Sequence, residues 1–137
     1  MNRPGTLLDT GPLVALLSRD DTNHQQAKRL FTECEPPFRT CEAVIAEACF
    51  LMRKVSRFGP AEVMALGPKG IYEISISVDD HWAFIESLLR KYSNRPVSLT
   101  DACLIRCAEL YEEPRIATFD SDFDIYRWKG KKRFDVL

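Results

Sequence analysis

The chain has 137 residues, 45% apolar, 10% aromatic and 28% charged, an ordinary globular composition at a length that suits one domain. With 19 Lys plus Arg against 20 Asp plus Glu the net charge is −1, so any nucleic-acid role requires local clustering of basic side chains, not bulk charge. No apolar run approaches the roughly 18 residues of a membrane helix, which excludes a helical spanning protein, and Met1–Leu8 lacks the apolar stretch of a leader, so a cytoplasmic location is expected.

Thr6-Leu7-Leu8 reads as a short buried strand stopped by Thr10-Gly11-Pro12, and Pro12 is placed to open a helix through Leu17. Asp20-Asp21-Thr22 offers caps for a second helix from Asn23 to Glu33, which Pro36-Pro37 breaks before a short strand at Phe38-Arg39-Thr40. From Cys41 to Arg57 the period is helical, with Val44, Ala48, Met52 and Val55 as its apolar stripe. Gly59-Pro60 ends that segment, and a short helix to Leu66 closes at Gly67-Pro68. Tyr72–Ile76 alternates as a strand does. Ser77-Val78-Asp79-Asp80 and Ser98-Leu99-Thr100-Asp101 both have capping-box form, predicting helices over 79–93 and 99–111. Pro114 precedes a strand over Arg115–Thr118, and Phe134-Asp135-Val136 reads as a final edge strand. Strands alternating with helices predict a parallel sheet covered on both faces, with chemistry at the strands' carboxyl ends.

Five cysteines (Cys34, Cys41, Cys49, Cys103, Cys107) contain no CxxC pair and read as reduced core thiols; with only His24 and His81 beside them, no zinc set forms. The carboxylates carry more. Asp9 directly follows the first strand, and Asp120 follows the Arg115–Thr118 strand, with Asp122 two residues on. Taken singly, each reads first as a turn or cap residue. At about 100° per residue, Asp101 falls between Ile105 and Ala108 on the apolar face, which suits either a helix cap or an inward acidic site. Glu47 lies mid-helix at the rim of its apolar stripe, where alone it reads as a solvated carboxylate. Jointly, four such acids repel one another unless a cation is bound, and hard oxygen ligands suit Mg²⁺ or Mn²⁺. Such a cation activates water and stabilises in-line displacement at phosphorus, so phosphodiester hydrolysis is the expected chemistry.

Leu8–Leu17 resembles the opening motif of PIN-domain ribonucleases, and Asp20–His24 resembles what commonly follows it. Val44–Glu47, Ser98–Ala102 and Ala117–Phe123 resemble the second, third and fourth acidic motifs, in family order from residue 7 to about 128. Within that family the chain is most similar to the VapC-type toxin of type II toxin–antitoxin pairs. The resemblance implies a three-layer α/β/α sandwich with a mainly parallel central sheet, forming one PIN domain over 1–137. It also implies a homodimer and a Mg²⁺- or Mn²⁺-dependent endoribonuclease acting on RNA. Asp9 and Asp101 would be the principal metal ligands, with Glu47 and Asp120 the further acids; Asp122 remains a second candidate in the fourth motif, assisting through water. Thr10 and Thr118 match small hydroxyl positions near the site, and Asp124 reads as a surface residue. A partner antitoxin would cover the acidic cleft and place an Arg among the carboxylates.

Arg127, Lys129, Lys131, Lys132 and Arg133 form a basic run that reads either as a solubilising tail or as a phosphate-contacting patch, the tail being favoured. Trp82 is expected to pack in its helix, and Trp128 stands alone in sequence. Two other acidic-site folds fit less well. A haloacid-dehalogenase-type phosphatase needs a second Asp where Gly11 stands, and a response-regulator receiver needs a mid-chain strand-end Asp where Asp79 and Asp80 read as a helix start. The non-enzymatic alternative is a catalytically silent PIN-like scaffold that binds RNA or protein.

Overall fold

The computed structural model describes residues 3–137; Met1 and Asn2, which open the stretch read above for a leader, lie outside them. Its elements, in chain order, are β1 (Leu7–Leu8), α1 (Thr10–Leu17), α2 (His24–Glu33), β2 (Phe38–Thr40), α3 (Glu42–Met52), α4 (Gly59–Ala65) and β3 (Tyr72–Ile74). There follow α5 (Trp82–Lys91), α6 (Leu99–Tyr111), β4 (Arg115–Ala117), β5 (Arg127–Trp128), β6 (Lys132–Arg133) and β7 (Asp135–Val136). Among the described residues no helix is long and apolar enough to cross a membrane.

Five strands form one sheet in the order β3-β2-β1-β4-β7, and every pairing within it is parallel. The strands are short; central β1 is apolar and buried throughout, as a strand covered on both faces must be, whereas the edge strands β3 and β7 are largely exposed. Leu7, Leu8, Phe38, Ile116 and Ala117 are buried in the sheet and covered by Leu13, Val44, Met52, Leu104 and Ile105 from the helices. Helices α1 to α4 pack among themselves, α5 packs on α6, and α6 crosses β1 and β2, giving the three-layer α/β/α sandwich.

The path of the chain creates the crevice. From β1 it moves outward through β2 to β3 at one edge, then returns across the sheet to lay β4 on the other side of β1. The boundary between β1 and β4 is thus the switch point, where successive helices diverge and an opening forms at the carboxyl ends. The Asp9 amide donates to the Ala117 carbonyl at 3.0 Å, fixing the two strand ends beside each other.

Several local expectations needed correction. The helix expected from residue 79 begins as a 3₁₀ turn over Val78–Asp80, and α5 proper starts at Trp82. Ser77 makes no side-chain cap; Asp79 instead accepts from the Trp82 indole at 3.2 Å. Trp82 itself is 64% exposed and does not pack in the core. Helix α3 ends at Met52, so Val55 falls in the following turn and is exposed instead of joining the apolar stripe. Gly59 opens α4 and does more than close the previous segment: a Cβ there would collide with the Met52 carbonyl, so only glycine lets α4 follow α3 this closely. The basic run is no tail. It folds as an antiparallel hairpin, β5–β6, turned by Lys129 and Gly130 at positive φ, with Trp128 buried and donating to the Arg133 carbonyl at 3.1 Å. The thiols are free, with four buried and Cys49 half-buried.

Candidate active site

A cavity of about 470 Å³ opens at the switch point, and Asp9, Glu47, Asp101 and Asp120 all line it together with Thr10 and Thr100. Three separate devices deliver these acids. Asp9 ends β1 and caps α1, its Oδ1 accepting from the Thr10 amide at 2.8 Å. Asp101 is the third residue of α6 and completes a capping box with Ser98: its amide donates to the Ser98 hydroxyl at 3.1 Å, while its Oδ2 accepts from the Ser98 amide at 3.2 Å. One side chain therefore both caps α6 and lines the cavity. Asp120 follows β4, and Glu47 projects from α3 across the cavity; both are exposed.

The two inner acids are held firmly. Asp9 is 7% exposed, and its Oδ2 accepts from the Thr118 hydroxyl at 2.6 Å. Thr118 in turn accepts from the Asp120 amide at 3.0 Å, so one hydroxyl sets the spacing between the first and fourth acids. Asp101 is 6% exposed, and the Tyr126 hydroxyl donates to its Oδ2 at 3.0 Å. Both bonds to Asp101 thus fall on Oδ2. Tyr126 is fully buried between Tyr92 and Phe123 in edge-to-face contacts at 4.9 and 5.2 Å, and burial, with the Asp101 carboxylate beside it, pushes its hydroxyl pKa up, so it remains a proton donor.

Burial also acts on the acids themselves. It pushes the Asp9 carboxyl up to about 6, against the pull of the Thr118 and Thr10 bonds and with the charges of Asp101 and Asp120 adding to the rise. Asp101 is raised by burial too, against its Ser98 and Tyr126 bonds, and Asp120 again adds. The acids therefore sense one another across the cavity.

Asp122 is differently placed. It does not line the cavity; Oδ1 accepts from Arg95 at 3.2 Å, and its amide donates to Asp120 Oδ1 at 2.9 Å. Asp124 is exposed, as expected of a surface residue. The residue that sequence reasoning missed is Tyr126, whose contact with Asp101 spans 25 positions and carries no motif.

The donor set is entirely hard oxygen. Among the described residues, no three His, Cys, Asp or Glu side chains stand within joint reach of one ion as placed. The chemistry nevertheless fits a hard divalent cation. The carboxylates raise one another's proton affinity, and the Thr10 hydroxyl beside Asp9 is buried without a hydrogen-bond partner.

The solved structure of Mycobacterium tuberculosis VapC20, a toxin that cleaves the sarcin–ricin loop, has this fold, with a TM-score of 0.76 at 21% identity over 92% of this chain and 98% of that one. No curated protein matches the chain. The PIN-domain family model matches residues 6–129, a span that contains all four cavity acids, Thr118 and Tyr126. The chain is a member of the PIN-domain family.

Proposed function

We propose that this PIN domain is a divalent-metal-dependent endoribonuclease that hydrolyses RNA phosphodiester bonds, acting as the toxin of a toxin–antitoxin pair. The observation that supports it is the convergence of four carboxylates from α1's cap, α3, α6 and the end of β4 on one cavity at the switch point. Repelling carboxylates are costly to a fold, and a cation they jointly bind offsets that cost.

In this reading Asp9 and Asp101 hold the ion, with Asp120 completing the set from the rim and Asp122 at most assisting through water. A bound Mg²⁺ or Mn²⁺ supplies positive charge at the scissile phosphate and lowers the pKa of water. The chain's own groups do the rest. Thr118 and Tyr126 hold the inner carboxylates in one orientation before substrate arrives, so no reorganisation is needed during reaction. Glu47, which makes no hydrogen bond among the described residues, orients the attacking water and accepts its proton. The toxin assignment adds three features drawn from the VapC20 likeness and the sequence motifs: a homodimer, a partner antitoxin that covers the acidic cavity, and a cytoplasmic location.

The test is 5′-end sequencing of total RNA after incubation with Mg²⁺ or Mn²⁺, using the parent chain, Asp101→Asn, and the parent with chelator. Discrete new ends confined to the parent with metal are expected. New ends that persist with chelator or in Asp101→Asn would contradict the metal site, and their absence from every reaction would favour the silent scaffold.

A further inference from the structure

The face that continues outward from the acidic cavity is the C-terminal end of α3 and its turn into α4. Three and four residues after Glu47, Phe50 and Leu51 share its side of the helix, within an arc of about 100°. Leu51 lines the acidic cavity, whereas Phe50 with Arg53 and Lys54 lines a second surface cavity of about 310 Å³. Because Phe50 and Leu51 are consecutive, the two cavities meet around the last turn of α3. Phe50 is 59% exposed and Phe58 is 65% exposed. Each ring has a cation beside it: Lys54 Nζ is 5.3 Å from the Phe50 centroid, and the Arg57 guanidinium is 5.4 Å from that of Phe58. None of Arg53, Lys54 and Arg57 forms an ion pair among the described residues.

Two exposed rings flanking three cations that form no ion pair match the needs of a single nucleic-acid strand, whose bases stack and whose phosphates seek positive charge. The other basic surface lacks half of this pattern. In the β5–β6 hairpin the ring of Trp128 is buried, Lys129 is paired with Glu112 at 2.9 Å, and the Lys129 amide ties the hairpin to Glu109. Glu109 lies eight residues beyond Asp101 on α6, about 12 Å further from the cavity.

We propose that the α3–α4 corner binds the single-stranded RNA flanking the cut site, with Phe50 and Phe58 stacking on bases and Arg53, Lys54 and Arg57 holding phosphates. The assignment rests on the endoribonuclease reading and adds the path by which the strand leaves the acids. It also places discrimination between single and double strands on this corner, because a paired base has no free face to offer a phenyl ring.

The experiment is fluorescence anisotropy of a labelled oligoadenylate of about eight nucleotides, titrated with the full chain in chelator so that no cleavage occurs, over a range of salt. Phe50→Ala with Phe58→Ala is expected to weaken binding roughly tenfold per ring, while Phe→Trp at both positions retains it. Arg53→Ala, Lys54→Ala and Arg57→Ala together should flatten the log–log salt slope by about 2, at roughly 0.7 per contact. Lys131→Ala with Arg133→Ala should leave both quantities unchanged. Because the substituted side chains are exposed, melting temperatures should stay at the parent value. Unchanged affinity in the phenylalanine pair would overturn the proposal and leave the face to a protein partner. An equal loss in the hairpin pair would overturn it in favour of bulk charge. If the parent yields discrete RNA ends with metal while these variants bind normally, only this proposal fails; a parent that neither binds nor cuts RNA removes the endoribonuclease reading as well.

Discussion

The four acids of the cavity divide into an inner pair and a rim pair, and the fold treats the two differently. Asp9 and Asp101 are buried at element starts, held by Thr10, Thr118, Ser98 and Tyr126, and raised in proton affinity by that burial. Glu47 and Asp120 are exposed, and only Asp120 has a local bond, from the Asp122 amide. The inner pair is therefore fixed in position at the expense of stability, whereas the rim pair stays open to solvent at little expense.

The largest effect expected from breaking this division is at the inner pair. Asp101→Asn should lower metal-dependent RNA cleavage by roughly a thousandfold or more, while melting no lower than the parent in chelator. Calorimetry beside the cleavage assay checks both. The second concerns pH in metal-free protein. The Asp9 carboxyl titrates at about 6 when folded against an ordinary 3.8, so the folded state binds the extra proton between those values. Its contribution to stability is full below pH 3.8 and is lost as pH rises through about 6. Over that window, unfolding in chelator should show stability falling by about 3 kcal/mol in the parent relative to Asp9→Asn.

At the rim, Glu47→Gln should cost about a hundredfold in turnover through the lost proton acceptor, with melting unchanged, because an exposed unbonded side chain holds nothing in place. Tyr126→Phe sharpens the comparison from beneath. It removes one hydroxyl from Asp101 Oδ2 and should weaken Mn²⁺ binding about tenfold, read by titration of free Mn²⁺. The smallest effect belongs to Asp122→Asn, which should change cleavage by no more than a few-fold, since its carboxylate is occupied by a half-exposed Arg95.

The parts of the molecule legible from sequence were those whose physics is local. Asp9 directly follows β1, Asp120 comes three residues after β4, and Ser98-Leu99-Thr100-Asp101 spells its own cap, so these placements could be read from neighbours a few residues away. The choice between Asp120 and Asp122 was not legible, because Arg95, which occupies Asp122, is 27 positions distant. Tyr126 was hidden for the same reason. The 79–93 helix was legible as a helix but not at its start: Ser77 makes no side-chain cap, Val78–Asp80 winds as a 3₁₀ turn, and α5 runs over Trp82–Lys91. The hairpin did leave a trace. Lys129-Gly130 between Arg127-Trp128 and Lys132-Arg133 is a turn signal, masked by reading the five cations as charge alone.

The central claim, that the inner carboxylates bind a divalent cation, is tested most directly by thermal melting with and without Mn²⁺ in the parent and Asp101→Asn. At an Mn²⁺ concentration about a hundredfold above its dissociation constant the parent should gain about 2.7 kcal/mol, or roughly 10 °C, and Asp101→Asn should gain almost nothing. Equal gains in the two proteins would contradict the account, because the stabilising ion would then be bound somewhere other than between these acids.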